Sequence, residues 1–231
     1  MSSSCPVAPA TITTSLIVHT THVERGRVHF RFHKRTATHL PNSFNPNVGK
    51  RIDLPEDGAR FNPFPGTPCP NVPTLYTADT FQGAALESVF HEVEHVPSPT
   101  YFKCGLEEWG YSKLRTRRTL LVFELVNPRL RSLLVPGRSS SITEGELIHS
   151  PRSEYPHTRT WAQYLHDQLP TIDGLAWRPR LGGTGTAYVF FGDRCGGEFD
   201  IAASAIPIAT GPGLGKISAI ARAAGIVLIE A

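Results

Sequence analysis

No stretch of this 231-residue chain approaches the roughly 18 consecutive apolar residues that a membrane-spanning helix needs. The start, Met1-Ser2-Ser3-Ser4-Cys5, has neither a basic run nor an apolar one after it, so no secretory leader is expected. Cysteine is scarce. Cys5, Cys69, Cys104 and Cys195 form no C-x-x-C pair, which fits a cytosolic protein with free thiols and leaves one or two disulfides open. A strong charge of either sign is also missing. The formal net charge is +3 and the Lys and Arg are scattered, so nothing demands nucleic acid. Arg115-Thr116-Arg117-Arg118 is a short basic piece, read as the solvated approach to a strand, with a phosphate contact as the alternative. There is no internal repeat. No G-x-S-x-G is present and no Cys stands in a recognisable catalytic context, so no nucleophilic triad can be read.

What is present suits a globular domain: 40% hydrophobic and 19% charged residues. Residues 1 to 24 read as a tail or an edge strand around Ser15-Leu16-Ile17-Val18, and residues 25 to 231 as one domain. Val28 to His33 alternates apolar and polar residues, the mark of a half-buried strand. Thr36 to Pro73 is a long Pro-, Asn- and Gly-containing loop, and such loops inside a compact domain usually serve function. Pro73 to Ala78 reads as a short strand. Asp79 or Thr80 then caps a helix expected to end before Pro97. Thr119 to Val126 reads as a buried strand. A second helix is expected from Thr158 or Thr160, with Trp161, Tyr164, Leu165 and Leu169 on one side. Strands follow over 174–177, 187–191 and 200–208, then a short helix over 216–224 and a closing strand over 226–229. The sum is an α+β single domain of mixed β-sheets flanked by a few helices.

One short motif invites a metal reading. Ser88-Val89-Phe90-His91-Glu92-Val93-Glu94-His95-Val96 contains H-E-x-x-H, in which two His on one helical face bind zinc and the Glu acts on its water. Catalytic zinc needs a third protein ligand. The extended form of the motif fails, because Ser98 stands where Gly is required and Tyr101 where His is required. Glu107, Glu108 and Glu124 remain as candidates. With ten His in the chain a chance match is ordinary, and the favoured reading assigns no metal. Leu181 to Thr186 reads as a glycine hairpin between strands, with a phosphate cradle as the alternative. Gly211 to Lys216 lacks the spacing of a phosphate loop.

A combination of segments points elsewhere. Gly58-Ala59-Arg60-Phe61-Asn62-Pro63 closes the long loop, Leu75-Tyr76 follows on a strand, and Ala85-Leu86-Glu87-Ser88-Val89-Phe90-His91 on a helix. Glu87 falls inside the apolar part of that helix, where a carboxylate is costly to bury without a partner. It either pairs with an Arg in the core or stands at the floor of a pocket.

In that order the segments resemble the RES-domain family, named for an arginine, a glutamate and a serine. Ile172-Asp173-Gly174-Leu175-Ala176-Trp177 and Tyr188-Val189-Phe190-Phe191 extend the resemblance, which runs from about Arg31 to Asp193. The resemblance implies a fold like that of ADP-ribosylating toxins. It implies an enzyme that consumes NAD as substrate, without a separate cofactor, cleaving the nicotinamide–ribose bond with water or phosphate as acceptor, as the toxin of a bacterial toxin–antitoxin pair; the alternatives are an ADP-ribosyltransferase acting on a macromolecule and a non-catalytic binding module. The implied partners are NAD and a cognate antitoxin, with no direct nucleic-acid binding, no membrane and a cytoplasmic location. Arg60 would hold the NAD pyrophosphate or a ribose, and Tyr76 would pack against the nicotinamide end. Glu87 would stabilise the charge that grows on the ribose as the glycosidic bond breaks. Arg31 would be a second candidate phosphate ligand, and Phe61, Asn62, His91, Arg178 and Arg180 complete the expected binding residues. Two features depart from the family pattern. Pro179 stands where the family's Ser is expected, which shifts attention to Arg178, Arg180 or Ser204, and Cys69 to Pro73 lengthens the loop before Tyr76.

Overall fold

In the computed structural model of the protein, residues 5–9, 20–36, 39–66, 70–93, 98–179, 181 and 185–230 are described. The strands are β1 Thr20–Val23, β2 Val28–Lys34, β3 Thr74–Ala78, β4 Thr100–Phe102, β5 Trp109–Thr116, β6 Leu120–Glu124, β7 Gly174–Trp177, β8 Ala187–Phe191, β9 Phe199–Pro207 and β10 Val227–Ile229. The α-helices are α1 Phe81–Leu86, α2 Glu144–Leu147, α3 Tyr155–Gln168, α4 Gly192–Cys195 and α5 Gly211–Ala223. Eight strands form one sheet in the order β1-β6-β7-β8-β3-β2-β5-β9, and β10 pairs with β4 in a separate parallel ribbon. Within the large sheet only β6 and β7 run parallel. A parallel neighbour requires a crossover, and the chain between β6 and β7 supplies it through α2 and α3. This is the expected α+β architecture.

Period-two alternation in β2 puts Phe30 and Phe32 on one face and His29 on the other. Phe30 and Phe32 join Ala84, Ala85, Phe90, Tyr111 and Ile217 in a core under α1 and α5. A second core packs Trp161 and Leu165 of α3 onto Phe123, Leu175 and Val189. Each large apolar side chain so buried contributes about 1.5–3 kcal/mol. The active-site candidates lie at the seam, because Tyr76 and Trp177 belong to the α3 core while Leu86 and Val89, on either side of Glu87, belong to the α1 core.

Several elements differ from expectation. Thr80 does cap α1, its side chain accepting from the Gly83 N–H, but the helix ends at Leu86 and Glu87 is its C-cap. Val89 and Phe90, beyond the end of the helix, are both buried in the same core. The chain continues there in tight turns, with Phe90 N–H donating to Ala85 O at 3.1 Å and Val93 N–H to Phe90 O at 3.1 Å. His91 thus does not continue α1 from Glu87, and His95 lies outside the described residues. Helix α3 starts at Tyr155, with Pro156 in its first turn, and α5 starts at Gly211, again with Pro in the first turn. Proline is tolerated there because its missing N–H has no helical partner to lose. Strand β5 was not anticipated; Lys113 and Arg115 obscured a strand in which Gly110, Tyr111, Ser112, Leu114 and Thr116 are buried. The basic piece after it splits, Arg117 pairing with Asp200 and Arg118 bidentate with Asp173. Glycines 182 and 183, and the strand expected at 15–18, lie outside the described residues. Cys5, Cys104 and Cys195 are free thiols, and Cys69 is not among the described residues.

The long loop is fastened by one residue that sequence reading missed. Arg159 on α3 is fully buried and donates to the backbone carbonyls of Ala59, Arg51, Ile52, Leu54 and Pro55 at 2.6–3.4 Å. Thr158 next to it donates to Arg60 O. The loop is thereby held as a fixed wall although it has little secondary structure of its own.

Candidate active site

Two adjoining cavities open at the seam. The first, of about 320 Å³, is lined by Tyr76, Trp109, Tyr155 and Trp177 around Glu87, with Arg60, Ser88, His91, Glu92 and Arg152. The second, of about 340 Å³, is polar and is lined by three cationic residues, Arg31, Lys50 and Arg152, and one acidic residue, Glu56, with Phe32, Asn45, Asn62 and Thr74. Gly58, Ala59, Tyr76, Ser88 and Arg152 line both. Gly58 is required by close approach, since a Cβ there would come within 2.3 Å of Asn62 O and 2.7 Å of Pro63 Cδ.

Glu87 stands on the turn after α1, and its Oε2 accepts the Trp177 indole N–H at 3.3 Å. Tyr76, on β3, accepts the Phe61 backbone N–H on its hydroxyl at 3.0 Å. Burial pushes the Tyr76 phenol well above its ordinary pKa, so it remains protonated and can still donate. Arg60 is 3% exposed. Its NH1 donates to Ser150 O at 3.2 Å, Ser150 Oγ at 3.0 Å and Leu147 O at 3.4 Å, and its guanidinium lies 5.0 Å from the Tyr155 ring. Part of its hydrogen-bonding capacity is therefore spent on the cavity wall itself. Arg31 donates from NH1 to Pro41 O and Ser43 O at 2.6 and 2.7 Å, and burial lowers its pKa to about 10, still charged at neutral pH.

Asn62 is 3% exposed; its Nδ2 donates to Asn47 Oδ1 at 2.6 Å, and its own Oδ1 is buried with no partner among the described residues. His91 shares one ring nitrogen with the Tyr155 hydroxyl at 3.1 Å and the other with Glu92 at 3.1 Å. Burial pulls the His91 pKa down, and the Glu87 carboxylate opposes that pull. Both ring nitrogens thus serve an organic hydrogen-bond chain. Glu124, weighed as a zinc ligand, pairs instead with Arg129. Among the described residues no three His, Cys, Asp or Glu side chains are grouped to hold a metal ion.

Two expected ligand contacts are corrected, and a third cannot be placed. Phe61 is fully buried, with its ring 5.1 Å from Trp177, and it is part of the core instead of a cavity wall. Arg178 is exposed and lines neither cavity. Arg180 lies outside the described residues. At the position of the family's Ser, Pro179 is buried beneath α1, where a Cβ on Gly83 would lie 3.4 Å from its Cγ, and it lines neither cavity. Ser204 is exposed on β9, and the serine hydroxyl common to both cavities belongs to Ser88. Asp173-Gly174, quoted for the resemblance, is structural. Asp173 accepts from Arg118 and from Leu121 N–H, and a Cβ at Gly174 would lie 2.2 Å from Val189 O. Sequence reading missed Trp109, Tyr155 and Arg152 as cavity residues. They are far from Glu87 in the chain, and no local pattern marks them.

The model of the RES domain family matches residues 31–209. The chain belongs to the RES-domain family. That span includes every residue assigned above to the two cavities. Among solved structures, the RES-domain chain is similar to a chain of the M. tuberculosis MbcT–MbcA toxin–antitoxin complex. The TM-score is 0.53 and the identity 16%, over 86% of this chain and 92% of that one. At that identity the likeness concerns the fold alone. No curated protein sequence matches.

Proposed function

We propose that this RES-domain protein consumes NAD, breaking the bond between nicotinamide and ribose with water or phosphate as acceptor. The observation that carries the reading is the pairing of the two cavities. A carboxylate walled by four aromatic rings suits a flat, cationic heteroaromatic ring and the ribose attached to it. The adjoining polar cavity, with Arg31, Lys50 and Arg152, suits a diphosphate. Bond cleavage leaves positive charge on the ribose, and Glu87 stabilises it most at the transition state, where the charge is greatest. Tyr76 packs against the leaving nicotinamide. Arg60 contributes positive charge at the boundary of the cavities, and Asn62 and His91 complete their walls. NAD enters as substrate and no separate cofactor is required.

Membership of the RES family, and the fold shared with a chain of a toxin–antitoxin complex, support the further reading that the protein is a toxin held in check by a cognate antitoxin. It would act in the cytoplasm, where NAD is available, and would need neither membrane nor nucleic acid. No helix among the described residues is long and apolar enough to cross a membrane. The second reading is transfer of ADP-ribose to a macromolecule, because the same cleavage serves both outcomes.

Purified protein incubated with NAD should release nicotinamide, and Glu87→Gln should abolish the release with the fold intact. Release without labelled protein supports hydrolysis or phosphorolysis, and release tied to a labelled target supports transfer. No release at any protein concentration would overturn both.

A further inference from the structure

Two of the arginines at the cavities are tied to the protein's own backbone. Arg31 donates from one nitrogen to Pro41 O and Ser43 O, and the buried Arg60 donates to Leu147 O and to Ser150. Arg152 differs in place and in partner. Among the described residues it is the one arginine or lysine that lines both cavities. It stands in the short turn Arg152–Glu154 that leads into α3. Its NH2 donates to Glu56 O at 3.4 Å, and its NH1 to Glu92 Oε1 at 3.2 Å. Glu92 itself lines the first cavity.

The two side chains of this ion pair are 47% and 66% exposed, Arg152 first. Such a pair contributes little, because water solvates both charges and two long side chains lose freedom in meeting. A diphosphate carries more charge than one carboxylate and presents several oxygens to the planar guanidinium fork. It can therefore take the carboxylate's place at small cost. Glu92 Oε1 also lies 3.1 Å from His91 Nδ1, so Glu92 keeps a partner when Arg152 turns away.

We propose that Glu92 is a built-in counter-ion of Arg152, and that the substrate's diphosphate exchanges with it. Glu92 stays on His91 while Arg152 turns its fork to the phosphate oxygens. Glu92 then acts as a specificity-determining residue. A ligand with one negative charge gains little over the carboxylate it displaces, whereas a diphosphate gains more. This rests on the reading of the second cavity as a diphosphate site given under the proposed function.

Titration calorimetry of the full chain with inorganic pyrophosphate reads the exchange without turnover. Glu92→Gln removes the competing charge and keeps an amide oxygen that accepts from His91. Its Kd for pyrophosphate should fall about two- to fivefold, the scale of one exposed ion pair. Asp200→Asn removes a carboxylate from a similarly exposed pair with Arg117 that lines neither cavity, and should leave Kd unchanged. In Arg152→Gln the Kd should rise, and adding Glu92→Gln there should gain nothing, because the two residues act as a coupled pair. An equal gain in both backgrounds, no gain in the first, or no pyrophosphate binding by any of these proteins would overturn the proposal. In turnover, Glu92→Gln should lower KM for NAD by the same factor with kcat within about twofold. Pyrophosphate bound more tightly by Glu92→Gln, with no nicotinamide released by any variant, would support the exchange and overturn the NAD reading. Nicotinamide release with KM and pyrophosphate Kd both unmoved would support the NAD reading and overturn the exchange.

Discussion

The Tyr155 hydroxyl lies 3.1 Å from His91 Nε2, and His91 Nδ1 lies 3.1 Å from a Glu92 carboxylate oxygen. A carboxylate only accepts, so a neutral His91 carries its proton on Nδ1 and Nε2 accepts from Tyr155. Burial lowers the His91 pKa and so favours the neutral ring. Tyr155→Phe removes this bond while keeping the ring that lies 5.0 Å from the Arg60 guanidinium. The expected cost is about 0.5–1.5 kcal/mol of stability, read as a shift in the urea midpoint. An unchanged midpoint would mean that the bond contributes nothing.

Arg159 should not tolerate Lys. The substitution keeps the charge but loses the planar fork that reaches carbonyls from Arg51 to Ala59. With several buried carbonyls left short of a donor, a loss of about 2–4 kcal/mol is expected. Nicotinamide release should fall with it, because Gly58, Ala59 and Arg60 line the first cavity. A stable variant with full activity would contradict the view of this loop as a fixed wall.

Pro179→Ser restores the family's residue but sits where neither cavity reaches it. Turnover should change by less than about threefold, under 1 kcal/mol in the barrier. A much larger gain would place that hydroxyl in the reaction and refute the assignment of Pro179 to packing under α1.

His29 is fully buried among Tyr188, Phe190 and Phe199, and burial, aided by Arg27, lowers its pKa to about 3. Its Nδ1 meets Thr77 Oγ1 at 3.1 Å, and its Nε2 has no partner among the described residues. The sign follows from proton counting. Between the unfolded pKa and the folded one, only the unfolded chain takes up the proton. Stability is therefore fully present above roughly pH 6.5 and falls as pH drops toward about 3. The slope approaches about 1.4 kcal/mol per pH unit for this one group. Urea midpoints from pH 7 to 4 should fall, and less steeply in His29→Phe. Equal slopes in both proteins would rule out His29 as the cause.

The ordered segments around Arg60, Tyr76, Glu87 and Trp177 were legible because each is local. A glycine that admits close backbone approach, an alternating strand, a capped apolar helix start and a buried strand all carry their physics within a few neighbouring residues. The strands over 174–177 and 187–191 lie where the sequence puts them, since they are buried on both sides and read as continuous apolar runs. The end of α1 was not legible. Past Leu86 the chain leaves helical geometry while Val89 and Phe90 stay buried in the same core, and which partners they meet there is a property of the fold and not of the segment.

The sequence by itself determined the family and most of the strands and helices, through spacing and hydrophobic pattern, and it singled out Glu87 as the candidate carboxylate. Only the tertiary structure decided what stands beside that carboxylate. Tyr155 and Arg152 come to Glu87 through α3, which the parallel β6–β7 pairing carries over the sheet. Trp177 comes from a strand laid down far along the chain, and its indole reaches Glu87 because the two cores meet there. Such contacts follow from long-range packing, which no local periodicity encodes.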